Sequence, residues 1–286
     1  MSAIAVAKKD FQDAVRSRGL IALTVIFVLF TVGGAYVGTQ VAGVFGDEAG
    51  DTLDLVYALQ SPASFLVPII ALLIGYGAVA GERERGSLKF LLGLPHTRWD
   101  VVFGKIVGRS AVVTVSILVG FAAGFVAIFA FTGSVSPAEY VVFTLLTVLL
   151  GFVYVCIGVG LSSMTRSTTR AAVGAFGLLG LLWLLWGFIG NLLLYLDTGS
   201  AFLFESPAPD WYLAFISLPP GPAYGSAIGA VLGESGFTAV SFYEQQGLIE
   251  GGLPVVAEPW FGFVILALWA MIPLLIGLLR FDRVDL

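Results

Sequence analysis

Nothing in this chain constrains the fold so much as a set of six long apolar stretches, each of twenty residues or more without Asp, Glu, Lys, Arg or His. They are Leu20 to Phe45, Ser61 to Ala80, Ser110 to Phe131, Tyr140 to Met164, Ala171 to Leu196 and Pro259 to Leu279. A bilayer core of about 30 Å is crossed by about twenty helical residues. Backbone amides inside lipid must find partners in their own segment, so runs of this length form helices. The expected fold class is an all-α integral membrane protein: one domain over residues 1–286, with six transmembrane helices at 20–45, 61–80, 110–131, 140–164, 171–196 and 259–279. Composition agrees, with 12% charged residues against roughly a quarter in soluble domains. The first apolar run has 26 residues, where a cleavable signal core has about 7 to 15, so the first span is expected to stay in the protein.

Lys and Arg set the orientation. With the N-terminus cytoplasmic, residues 1–19, 81–109, 165–170 and 280–286 lie inside, and all 14 basic residues fall there. Random scatter would do this about once in a few hundred thousand trials. Both termini are therefore expected in the cytoplasm. Twelve of the 19 acidic residues fall outside, seven of them between Asp197 and Glu258. That excess fits either repulsion of anionic solutes or a merely solvated face.

Several functions are excluded. The Gly-x-x-x-x-Gly-Lys-Ser/Thr string that cradles ATP phosphates is missing, because Gly104-Lys105 is followed by Ile106. One histidine, His96, and one cysteine, Cys156, supply neither a zinc site nor a disulfide. No catalytic, cofactor-binding or metal-binding residue is expected. Ion-coupled transporters usually carry ionisable groups inside their spans, and these spans have none, so energy for moving a solute must come from elsewhere. Asn191 and Gln40 are the most polar residues within the spans, and each suits a helix–helix hydrogen bond or an interfacial anchor. Gly120-Phe-Ala-Ala-Gly124 in the third span and Gly174, Gly177 and Gly180 in the fifth permit close helix contact, within one chain or between two.

Against this background, GERERGSLKFLLGLPHTRWD at 81–100 packs seven charges into twenty residues. Glu82 to Leu92 is expected to continue the second span as helix, with Leu88, Leu91 and Leu92 as an apolar stripe, and Pro95 ends it. Thr97 with Asp100 three residues on matches a capping box that starts the next helix. Trp99 is expected at the headgroups, with Lys105 and Arg109 snorkelling to the same surface. Two readings fit: a solvated hairpin whose charges set topology, or an apolar stripe edged by charge that enters a partner's groove. Phe11, Ala14, Val15 and Arg18 share one face of an N-terminal amphipathic helix at the membrane interface, with Lys8, Lys9, Asp13 and Arg16 available to headgroups.

The string GERERGSLKFLLGLPHTRWDVVFGKIVG resembles the signature of type-2 ABC transporter permeases, here as Glu82, Gly86-Ser87-Leu88, Pro95, Arg98 and Gly104-Lys105. Residues 8 to 20 resemble the family's opening segment. Only about forty residues carry the motif, but its order, the six spans and the orientation agree. The resemblance implies a permease half in the plasma membrane, an exporter subunit without enzymatic activity, paired with itself or a sister permease. Separate cytoplasmic ATPase subunits would bind the ATP and magnesium and drive it. The 81–109 loop and the N-terminal helix would dock on those subunits, with Glu82, Glu84, Gly86, Leu88, Pro95 and Arg98 as coupling residues. Lipid is the expected surrounding, and no nucleic acid is expected.

The external loop 197–258 is similar to that of one branch of the family, which includes the permease of the transporter that matures nitrous-oxide reductase. Its aromatics Trp211, Tyr212, Phe215 and Tyr224 are expected at the outer headgroup layer, in a lid, a docking site or a plain spacer. The alternative function is a non-transporting anchor or assembly factor that uses the same inner loop. A membrane-embedded enzyme comes third.

Overall fold

The computed structural model describes residues 3–15, 18–45, 52–86, 97–199, 207–233 and 238–282, and among them every regular element is helical. Six helices are long and apolar enough to span a membrane: Gly19–Gly38, Leu59–Glu84, Trp99–Thr132, Pro137–Ser163, Thr168–Thr198 and Phe261–Phe281. By element, α1 is Ala3–Val15, α2 Arg18–Phe45, α3 Thr52–Gly75, α4 Ala80–Glu84, α5 Arg98–Thr132 and α6 Pro137–Ser163. After them come α7 at Thr168–Gly180, a π-helical turn at Leu181–Leu185, and α8 at Trp186–Thr198. The chain divides into two compact units, residues 1–176 with 269–286, and residues 177–268.

In the first unit α2 packs along α5, α3 along α6, and α5 against α6. Small residues make these contacts possible. A Cβ at Gly120 would lie 2.5 Å from Phe27 Cβ, and one at Gly124 would lie 2.6 Å from Thr31 Cβ, so the GFAAG motif serves packing within the chain. Where these backbones meet, Thr31 Oγ1 donates to the Gly120 carbonyl at 2.6 Å, a bond that relieves a hydroxyl of being stranded in hydrocarbon.

The third spanning helix starts at Arg98, well before the uncharged run at Ser110. The capping box expected from sequence is the reason: Thr97 Oγ1 accepts from the Asp100 amide at 3.1 Å, and Asp100 Oδ2 accepts from the Thr97 amide at 3.0 Å. Two otherwise orphaned first-turn donors are satisfied, so the helix begins outside the apolar stretch.

The second span departs from expectation. Its helix breaks after Gly75, turns through residues 76–79 and resumes as α4, which ends at Glu84 instead of continuing to Leu92. Gly75 meets Gly158 of α6 backbone to backbone, and the buried Ser162 hydroxyl accepts the amides of Val79 and Ala80 at 3.1 and 3.0 Å. At the far end Gly86 sits at φ +74°, a left-handed conformation that glycine adopts without cost and that closes helices. Residues 87–96, among them Leu88, Leu91, Leu92 and Pro95, lie outside the described set. Ser162→Ala strands two buried amides and is expected to cost about 2 kcal/mol. Hydrogen exchange at Val79 and Ala80 should accelerate roughly thirtyfold.

The second unit contains α9 (Asp210–Ser217), α10 (Pro220–Leu232), α11 (Ser241–Gln245), a 3-10 turn at Val255–Ala257 and the start of α12 (Phe261–Asp282). Leu194, Ala208, Tyr212, Leu213, Val240 and Ala257 form its core. The Tyr212 hydroxyl donates to Asn191 Oδ1 at 2.8 Å and lies 3.0 Å from the Tyr243 hydroxyl. Burial first, then Tyr243, holds the Tyr212 hydroxyl above its ordinary pKa. Asn191 thus makes the inter-helix bond foreseen for it. Tyr224 does not sit at a surface layer, because α10 buries it completely.

A charged hub that gathers four helices

Charges from α1, α4 and α5 gather around Lys105. The enclosure is built by two glycines one helical turn apart, Gly104 and Gly108, which face α1 as it crosses the start of α5. A Cβ at Gly104 would lie 2.6 Å from Val6 Cβ, and one at Gly108 would lie 3.0 Å from the Ala7 carbonyl. Backbones this close leave the side chain between the two glycines no route to water. Lys105 is 2% exposed, and the snorkelling expected of it does not occur.

The ammonium is matched on two sides. Lys105 Nζ donates to Glu82 Oε1 at 2.7 Å and to Asp10 Oδ1 at 3.4 Å. Asp10 also takes Arg109, through Nη2 at 3.2 Å and an ion contact from Nε at 2.8 Å. Two cations and two carboxylates make the cluster neutral, which a buried charge requires, since an unpaired one costs several kcal/mol. Val6, Ala7 and Asp10 form the buried face of α1, while Lys8, Lys9 and Asp13 are exposed as expected. The apolar stripe of α1 therefore meets protein, one turn earlier than the stripe through Phe11 and Ala14. The side chains of Val15, Arg16 and Arg18 lie outside the described set.

Successive residues of α4 reach different elements. Glu82 meets α5 through Lys105. Arg83 Nη1 donates to the Thr165 carbonyl at 3.0 Å, and its guanidinium lies 4.8 Å from the centre of the Phe281 ring on α12. Glu84 Oε2 accepts the Thr168 amide at 3.0 Å and the Thr168 hydroxyl at 2.5 Å, capping the first turn of α7 from outside. A carboxylate there also faces the positive end of the helix dipole. Arg85 Nε returns to the Gly81 carbonyl at 3.0 Å. A five-residue helix thus grips α5, α7, α12 and the α6–α7 turn.

Of the residues singled out from sequence, Glu82 and Glu84 enter this hub and Gly86 forms the turn that leaves it. Arg98 is the first residue of α5, its side chain outside the described set, as are Leu88 and Pro95. Sequence reasoning passed over Asp10, Thr168 and Ser162, and gave Lys105 to the membrane surface. A usable signal existed in Gly104-x-x-x-Gly108, the small-residue spacing that brings helices together.

The family model for ABC-2 family transporter proteins matches residues 4–286. Among curated proteins, a probable ABC transporter permease protein NosY of Pseudomonas aeruginosa is 34% identical over 171 residues, 58% of this chain and 62% of that protein. The protein of the same name from Stutzerimonas stutzeri is 32% identical over 171 residues, 58% of this chain and 61% of that protein. The matched part thus spans about three-fifths of the length of these relatives. The match over nearly the whole chain, with six spanning helices behind it, establishes that this protein belongs to the ABC-2 transporter family.

Proposed function

We propose that the chain is the permease subunit of an ATP-binding-cassette exporter in the plasma membrane, driven by separate ATPase subunits that dock on the loop between its second and third spans. The hub is the observation that carries this reading: the helix leading into that loop is tied by side chains to elements of the third, fifth and sixth spans. A push on residues 87–96 would reach all three together. Only a partner that contacts this segment differently with and without ATP can shift the permease between states, so the hub's face is cytoplasmic in this proposal, with both termini beside it. Leu88, Pro95 and Arg98 are assigned to direct contact with the ATPase, Glu82 and Glu84 to passing its movement inward.

Pairing with a second permease is part of the same proposal, and the uneven burial of the spans supports it. Within this chain the most apolar stretches of the first and fifth spans are largely exposed, whereas that of the fourth is mostly buried. A second copy or a sister subunit would cover them.

Co-purification from native membranes tests the proposal. A P-loop ATPase is expected at one copy per permease. Gly86→Pro should lower ATP hydrolysis by the complex at least tenfold while the chain still inserts, since proline is confined near φ −65° and cannot hold +74°. Recovery of a cytoplasmic partner with no nucleotide-dependent transport would favour the anchor reading instead.

A further inference from the structure

We infer that Lys105 and Asp10 are positioning residues for coupling: with Glu82 and Arg109 they form a charge joint that makes α1, α4 and the start of α5 move as one body. The inference rests on the permease reading and extends it to two residues outside the loop. The physical ground is the geometry of the charges. Lys105 contacts both Asp10 of α1 and Glu82 of α4, at 3.4 and 2.7 Å. Asp10 is shared by Lys105 and Arg109, which stand one turn apart on α5. Sliding α4 along α5 would pull Glu82 away from a cation that is 2% exposed, and water cannot reach the ammonium to replace it. A buried ion pair resists such slippage more than apolar contact does, because separation leaves the buried ammonium without its compensating charge.

Apolar packing alone would hold α1 on α5 through Gly104 and Gly108. Toward α4, the side-chain contact from α5 is the pair between Lys105 and the Glu82 carboxylate. Severing Glu82 from Lys105 should therefore loosen α4 against α5 while leaving α1 in place and α4 still held through Ser162, Arg83 and Glu84.

Two variants separate a coupling role from a merely stabilising one. Lys105→Met with Glu82→Gln removes the link and keeps the cluster neutral through Asp10 and Arg109. Lys105→Arg keeps the charge. Because Cys156 is the single cysteine and is buried, nitroxides can be placed on Lys9→Cys and Arg85→Cys, both exposed positions. For the chain alone in lipid nanodiscs, the inter-label distance should be narrow in the parent and in Lys105→Arg, and at least twice as broad in the neutral double variant. In the complex with its ATPase, the double variant should lose at least fivefold in kcat for ATP hydrolysis, with KM for ATP within twofold and melting temperature near the parent's. Lys105→Arg should restore kcat.

A distance that stays narrow in the double variant, or full recovery of kcat once neutrality is restored, overturns the joint. If the ATPase binds and the distance does not broaden, the joint falls and the permease reading stands. If no ATPase is recovered, the permease reading falls and the coupling role with it. The nanodisc distances would then still decide whether the joint exists.

Discussion

Lys105→Met is expected to be among the most damaging single substitutions in this chain, at about 3 kcal/mol. The methyl thioether fills nearly the same space, so the loss is electrostatic. Glu82 would be left as a carboxylate with its cation gone, and Asp10 would keep only Arg109. Removing one partner from a buried pair costs about 3–5 kcal/mol, and the lower end applies because Glu82 is 24% exposed. Adding Glu82→Gln should return most of the loss, since replacing both charges of such a pair is close to neutral. Equilibrium unfolding in mixed detergent micelles, run on the single and double variants, measures both numbers. A single variant as stable as the parent would mean that the ammonium is not held as described.

Gly160→Val should cost a similar amount, about 3 kcal/mol, by a different mechanism. Here α6 and α12 touch through their backbones. A Cβ at Gly160 would lie 2.6 Å from the Pro273 carbonyl oxygen, and one at Gly277 would press into the Gly160 carbonyl. Backbone atoms in a helix cannot rotate away as a side chain can, so the helices must separate, and the packing on either side of Gly160 separates with them. Gly174 is the control: nothing stands within 4 Å of its hypothetical Cβ, and Gly174→Ala should change the stability of the isolated chain by less than about 1 kcal/mol. The same unfolding measurement separates the two. Comparable effects at positions 160 and 174 would contradict the α6–α12 contact.

Both predictions concern contacts between residues far apart in the chain, which is also where reading the sequence was weakest. The break at residues 76–79 illustrates it. Gly75 and Gly77 hint at a weak helix, but the break is set where Ser162, more than eighty residues on, accepts two amides. Nothing in the string Gly75 to Glu84 names that serine. The N-terminal helix is a second example. Its exposed lysines were legible from their spacing, whereas the burial of Val6, Ala7 and Asp10 was not, because an isolated amphipathic pattern does not say whether lipid or a neighbouring helix covers it. Asn191 went the other way: a lone amide inside a span needs a partner wherever it lies, so a helix–helix bond was one of its two expected roles without knowing that the partner is Tyr212.

The sequence by itself determined the number of spans, their helical form, the start of the third at Thr97 and the family signature. Each is local: a bilayer forces hydrogen bonds inside the segment, a cap involves residues three apart, and a motif is a string. Only the tertiary structure decided that Lys105 is buried, that Asp10 and Glu82 share it, that Glu84 caps the fifth span, and which glycines touch another backbone. A charged side chain can pair with any opposite charge the fold brings near, and a glycine looks the same in sequence whether its missing Cβ faces open space or another helix.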